Sequence, residues 1–137
     1  MTNEVFVDTS YAIALANPKD HFYQQACQLA DLVEANKTRM IVTHAVMLEI
    51  GNALSKQRYR KAAVKLLRSL ELDPRVEIVP ISEQLYARAI LLYRERQDQE
   101  WRLTDFISFI VMWDRDITQV LTNNKHFQQA GFEILLR

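Results

Sequence analysis

The order of apolar and polar residues predicts an α/β fold, a three-layer α/β/α domain with a mostly parallel central sheet. Short runs of β-branched and aromatic residues alternate with longer stretches of helical periodicity along the whole chain. Turn-forming residues punctuate the boundaries between them, as at Asn17-Pro18 and Pro74. Strands separated by helices must join through right-handed crossovers, which place helices on both faces of the sheet.

The first apolar run, Glu4 to Asp8, reads as a strand. Thr9 and Ser10 then open a short helix that Asn17 and Pro18 end. Asp20 is placed to cap a second helix reaching about Asn36, with Phe22, Ala26, Leu29, Ala30 and Val33 on one face. Met40 to Thr43 forms the second strand, followed by helices over about Ala45 to Lys56 and Arg60 to Leu72. In the latter, Ala63, Leu66, Leu67 and Leu70 share a side, and Pro74 closes the pair. Val76 to Ile81 is the third strand. Ser82 caps a helix to about Gln97, and Thr104 caps another to about Trp113. Val120 to Leu121 begins a fourth strand, and Phe132 to Leu136 adds an edge strand.

At 137 residues the chain suits a single domain spanning residues 1–137, able to bury a core without disulfides or a metal clip. A hydrophobic fraction of 49% and a charged fraction of 25% are those of an ordinary globular protein. Seventeen basic residues balance seventeen acidic ones, so any electrostatic attraction must be local. Cys27 is alone, which excludes an internal disulfide and a multi-cysteine zinc site. His21, His44 and His126 have no short metal-binding spacing. The start of the chain lacks the basic residues and apolar run of a secretion signal, and no later stretch is long enough to cross a bilayer. The expected location is therefore a reducing cytoplasm, with no membrane partner.

In an open parallel sheet, sites form at the carboxyl ends of the strands. Asp8 ends the first strand, Glu49 lies about one turn into the helix after the second, and Asp105 occupies the first turn after Thr104. Taken singly, Asp8 is explained as a helix cap, Glu49 as a solvated acid and Asp105 as an acid favoured by a helix dipole. Together they map to one edge of the sheet from distant parts of the sequence. Carboxylates brought together repel, and a hard divalent cation, Mg2+ or Mn2+, removes that cost by accepting their oxygens. Such an ion can activate water and neutralise a phosphodiester in the transition state, which is hydrolytic nuclease chemistry.

Thr122, Asn123 and Asn124 reach the same edge after the fourth strand. Asn124 offers a neutral ligand oxygen, or equally a turn contact. Thr9 and Ser10 adjoin Asp8 and, with Thr122, are candidates to position water or phosphate; Ser108 ranks below Ser10 because its hydroxyl can bond its own helix. Asp114 and Asp116 fall between a helix end and a strand start, at the opposite edge, and are excluded. From Lys56 to Arg68 the chain carries Lys56, Arg58, Arg60, Lys61, Lys65 and Arg68 with no acid between, and Tyr59 among them. Such a run can hold an RNA backbone with Tyr59 stacking on a base, or can be a solvated helix face. Trp101 and Arg102 adjoin Asp105; Trp101 is expected to pack on the core, with base stacking as the alternative. His44 is read as strand-end packing.

Three segments make the chain recognisable: VFVDTSYAIAL near the start, VTHAVMLEIGNAL in the middle, and LTDFISFIVM followed by VLTNNKHFQQAGFEILL near the end. In order and spacing they resemble the PIN-domain ribonucleases, particularly the VapC-type toxins of bacterial toxin–antitoxin pairs. The resemblance covers nearly the whole chain. It implies a PIN-like fold and a Mg2+- or Mn2+-dependent endoribonuclease, with Asp8, Glu49 and Asp105 matching the family's first three acidic positions. It also implies a homodimer and a cognate antitoxin. Where such sequences commonly carry Thr-x-Asp, this one has Thr122, Asn123, Asn124, so an amide replaces the fourth carboxylate. The lower negative charge should weaken a second metal more than the first.

The competing reading is a catalytically weak or inactive module that keeps the fold and binds RNA or a partner protein, motivated by Asn124. A phosphatase or phospho-receiver fits less well, because Asp8 has no second acid two residues on. Nucleotide-cofactor binding is weaker still, since Gly51 and Gly131 are isolated and cannot form a phosphate-cradling loop.

Overall fold

The computed structural model describes all residues, 1–137. The chain runs β1 (Glu4–Val7), α1 (Thr9–Ala16), α2 (Tyr23–Asn36), β2 (Arg39–Thr43), α3 (His44–Ala53) and α4 (Gln57–Leu72). It continues through β3 (Val76–Val79), α5 (Glu83–Glu95), α6 (Leu103–Asp114), β4 (Gln119–Leu121), α7 (Lys125–Gln129) and β5 (Glu133–Ile134). The strands form one sheet in the order β3-β2-β1-β4-β5, every neighbouring pair parallel. Helices α1 to α4 pack among themselves, while α6 packs between α5 and α7, giving the three layers that the alternation predicts.

The boundaries shift where side-chain hydrogen bonds or proline overrule periodicity. β3 stops at Val79 because Pro80 has no N–H to donate to a neighbouring strand. Asp20 does not cap α2: its carboxylate accepts the Phe22 N–H at 2.8 Å in a preceding turn, and the helix starts at Tyr23. α3 ends at Ala53 because the chain turns where Leu54 is buried, and α4 resumes at Gln57. Thr104 is inside α6, whose cap position is held by Arg102; there the Asp105 carboxylate accepts the Arg102 N–H at 3.0 Å. The capping at Ser82 is as expected, its hydroxyl accepting the Leu85 N–H at 3.1 Å, although α5 stops at Glu95. α7 has no counterpart in the sequence expectation. The Asn124 side chain caps it, accepting the His126 N–H at 2.9 Å.

The core lies between the sheet and the helices on each face. β1 is its axis: Val5, Phe6 and Val7 are buried, and the strand has a partner on both sides. On one face, Phe109 of α6 meets Phe127 of α7 edge to face at 5.0 Å, with Phe132 and Trp101 at 5.6 and 5.2 Å. Edge-to-face pairs of this kind contribute about 0.5–1.5 kcal/mol each beyond area burial. This aromatic cluster seats the start of α6 and all of α7 beside the carboxyl end of β4, which decides where Asp105 and His126 stand.

Candidate active site

β1 is flanked by β2 on one side and β4 on the other, so the chain reverses its direction of travel across the sheet between them. A crevice opens at such a switch point because successive connections leave toward opposite sides. Asp8 follows β1 there and donates its N–H to the Leu121 carbonyl at 3.2 Å, and Thr122 to Asn124 follow β4.

A web of hydrogen bonds ties these loops together. Thr122 donates its hydroxyl to Asp8 Oδ2 at 2.7 Å, and its oxygen accepts the Asn124 N–H at 3.0 Å. Ser10 Oγ lies 2.9 Å from Thr122 Oγ1 and accepts the Asn123 N–H at 3.1 Å. Asp105 Oδ2 accepts the Arg102 N–H and lies 2.9 Å from His126 Nδ1. The Asn124 amide nitrogen faces Asp105 Oδ1 at 3.5 Å. Glu49 accepts the Thr9 hydroxyl at 2.7 Å and is ion-paired with the Arg102 guanidinium.

Asp8 and Asp105 are nearly fully buried, at 5% and 4% exposure. Asp8 stands at the cap position of α1 yet makes no capping bond with its side chain. Burial pushes its carboxyl from an ordinary 3.8 up to about 6; the Thr122 hydroxyl and the Thr9 amide pull it back, the Asp105 charge adds to the rise, and Arg102 opposes it.

This donor set fits a hard divalent cation in its chemistry. The Asp105 charge adds to the cost of ionising buried Asp8, and hydroxyl and carboxylate oxygens are the ligands such an ion takes. In this conformation, however, no three His, Cys, Asp or Glu side chains stand close enough together to hold an ion. Glu49 is engaged by Thr9 and Arg102, and the neutral oxygen expected of Asn124 is committed to capping α7. The convergence of three acids on a single point is thus not present; two aspartates and a neighbouring, separately paired glutamate line the edge instead.

Of the remaining candidates, Thr9, Ser10 and Thr122 lie in the site through the bonds above. Ser108 does not: its hydroxyl bonds the Thr104 carbonyl at 3.1 Å. The basic run is exposed throughout, and no ion pair joins it to the acids. α3 and α4 lie side by side, Gly51 against Leu67, so Lys56, Arg58 and Arg60 sit at or near the turn between them. Arg58 stacks over Tyr59 at 4.8 Å and Arg60 bonds the Ser55 carbonyl. Lys65 lines a groove with Leu15 and Ala16, at the end of α1 away from Asp8. Trp101 is buried and donates to Gln129 at 2.9 Å. His44 is not strand-end packing; it is the exposed first residue of α3. Asp114 is exposed and paired with Arg88. Sequence reasoning missed His126, because a search for histidine pairs passes over a single imidazole that meets its acid only after folding. The one local signal was Asn124, a good cap residue two positions before it.

The comparisons agree with this architecture. No curated protein sequence matches the chain. Among solved structures, VapC20 of Mycobacterium tuberculosis, described as a sarcin-ricin loop cleaving toxin, superposes with a TM-score of 0.81 at 25% identity, covering 93% of this chain and 95% of that one. VapBC2 from Rickettsia felis, solved bound to a DNA fragment from its promoter, gives 0.69 at 16% identity over 96% of each chain. DNA-bound VapBC from Salmonella typhimurium gives 0.67 at 17% identity, over 98% of this chain and 97% of that one. The family model described as PIN domain matches residues 5–133, nearly the whole sequence, and the chain belongs to the PIN domain family.

Proposed function

We propose that this protein is a metal-dependent endoribonuclease that hydrolyses RNA phosphodiester bonds, and that it is the toxin of a toxin–antitoxin pair. The observation that carries the reading is the burial of Asp8 and Asp105 together at the switch point, where burial raises the cost of ionising Asp8 without a cation. The similarity to VapC20, described as a sarcin-ricin loop cleaving toxin, supports this reading.

In this reading Asp8 and Asp105 would hold Mg2+ or Mn2+, and Glu49, paired here with Arg102, would be the further carboxylate available to it. The ion supplies activation of water and neutralisation of phosphate charge. Thr122 holds the Asp8 carboxylate in place, and Ser10 and Thr9 present hydroxyls beside it for water or a phosphate oxygen. His126 and the Arg102 N–H orient Asp105, the kind of outer contact that aims a ligand's oxygens. Lys56, Arg58 and Arg60 add positive charge for the RNA backbone. A cognate antitoxin, a homodimer and a cytoplasmic setting complete the reading; no helix is long and apolar enough to cross a membrane.

The test is RNA cleavage by purified wild type, Asp8→Ala and Asp105→Ala with Mg2+ or Mn2+. Loss of about a hundredfold or more in both variants is expected, since several kcal/mol of transition-state stabilisation depends on the ion. Equal cleavage by all three ends the proposal. The absence of a three-acid cluster and the capping role of Asn124 favour one second reading, an inactive RNA- or partner-binding PIN domain. Cleavage by Asn124→Asp alone would favour it over the first.

A further inference from the structure

Outside the acidic crevice, the connection from α5 to α6 encloses a cleft of about 630 Å³, within the range of small-ligand sites. Its lining brings Arg94, Arg96 and Arg102 together with Tyr93, Trp101 and the amides of Gln97 and Gln99. Three arginines line it beside one acid, Glu100; Asp98 pairs with Arg96 and Glu49 with Arg102, and Arg94 has no ion pair.

The planar groups are layered. Trp101 is 5% exposed, anchored by its bond to Gln129 and by edge contacts with Phe106 and Phe109, and so is a floor rather than a free surface. Arg96 lies over that floor with its guanidinium 4.8 Å from the ring centroid, steadied by Asp98 at 3.2 Å. Tyr93 packs edge-on against Phe106 at 6.2 Å and remains 49% exposed. A guanidinium over an indole and a half-exposed phenol are surfaces on which a base stacks. Arg102 both lines the cleft and pairs with Glu49, so one side chain is shared between the cleft and the acidic site.

We propose that the cleft between α5 and α6, built on Tyr93, Arg96 and Arg102, takes an unpaired nucleotide of the RNA strand that adjoins the bond cut at the acidic site. The inference rests on the nuclease reading for the strand's continuation, but not for its binding. The base stacks against Arg96 and Tyr93, the Gln97 and Gln99 amides meet its edge, and Arg94 and Arg102 take the flanking phosphates. A paired base cannot enter, because its faces are already covered in the duplex. The cleft therefore selects single-stranded or splayed-out positions.

The experiment is fluorescence anisotropy in EDTA, where binding is read without cleavage, using a fluorescein-labelled single-stranded oligoadenylate of about twelve nucleotides and a duplex of the same length. Wild type is compared with Tyr93→Ala, Arg96→Ala, Tyr93→Phe and Lys19→Ala, each checked for folding by thermal melting. Tyr93→Ala and Arg96→Ala are expected to weaken single-strand binding about tenfold, while Tyr93→Phe, which keeps the ring, and Lys19→Ala, a remote charge loss, stay within about twofold. Duplex binding should change much less in all four. The proposal is overturned if wild type does not bind the single strand, if the two alanine variants bind it normally, or if they lose duplex and single strand equally. Displacement of the RNA by polyglutamate at equal charge also overturns it, since that marks an acidic-peptide surface. Normal binding by Tyr93→Ala with cleavage lost in Asp8→Ala removes the subsite alone; the expected binding pattern with undiminished cleavage in Asp8→Ala removes the nuclease reading alone.

Discussion

Thr122 donates its hydroxyl to Asp8 Oδ2 across 2.7 Å, joining the ends of β1 and β4 with both residues buried. The same oxygen receives the Asn124 N–H and lies beside Ser10, so one side chain ties the segment after β1 to the segment after β4. Thr122→Val keeps the shape and removes every one of these bonds. It should cost about 1–3 kcal/mol of stability in urea denaturation, because buried partners are left unmet. Thr122→Ser, which keeps the hydroxyl, should retain most of that. The Val variant should also raise the Asp8 pKa further, readable by carboxyl NMR, since the lost bond is one that lowers it.

Asp8 makes metal-free stability depend on pH. Its folded pKa is raised from 3.8 to about 6, so the folded state holds the proton more tightly than the unfolded chain. The resulting stabilisation is full below about pH 4 and is lost as pH rises through about 6. Two units correspond to about 3 kcal/mol at most. In EDTA, Asp8→Asn should therefore exceed wild type in stability by up to that amount at pH 7.5, with the gap closing toward pH 4. Mn2+ should stabilise wild type and not the variant. A gap independent of pH would contradict this assignment.

Arg102 competes with any cation for Glu49. The pair is on the rim, with the guanidinium 61% exposed, so its strength is that of a surface ion pair. Arg102→Ala should tighten Mn2+ binding about two- to fivefold in calorimetry. Glu49→Gln in the same background should cancel the gain. Unchanged affinity in Arg102→Ala would mean that Glu49 does not reach the ion.

Asn124→Asp tests the missing carboxylate. Aspartate caps helices as well as asparagine, so α7 should form. Without metal, a fourth carboxylate faces Asp105 where an amide N–H did, and stability should fall by about 1 kcal/mol. With Mn2+ the sign reverses, and affinity should rise on the order of tenfold, because site charge sets affinity. Thermal melting with and without Mn2+ reads both halves. A variant unaffected by either condition would show that this position does not sense the ion.

The fold was legible because it rests on local patterns. Alternating apolar runs and helical stripes set the element order, and the parallel sheet follows from the crossovers they require. Thr9, Ser10 and Thr122 were also readable as neighbours of the acidic edge, since each adjoins a strand end. Boundaries failed where a side chain bonded backbone a few residues away, as Asp20 does with Phe22 and Asp105 with Arg102. Such choices depend on side-chain direction, which periodicity does not carry.

By itself, then, the sequence determined that Asp8, Glu49 and Asp105 share an edge, because strand ends and helix starts are encoded in nearby residues. Only the tertiary structure decided how each acid is used. Asp8 is buried against Thr122, Asp105 is oriented by His126 from twenty-one positions away, and Glu49 is held by Arg102. Those pairings come from packing α6 and α7 against β4, driven by the Phe109, Phe127 and Phe132 cluster. Long-range contacts of this kind are made by burial of apolar surface, which is non-directional, so the polar partners it brings together are not written in local spacing.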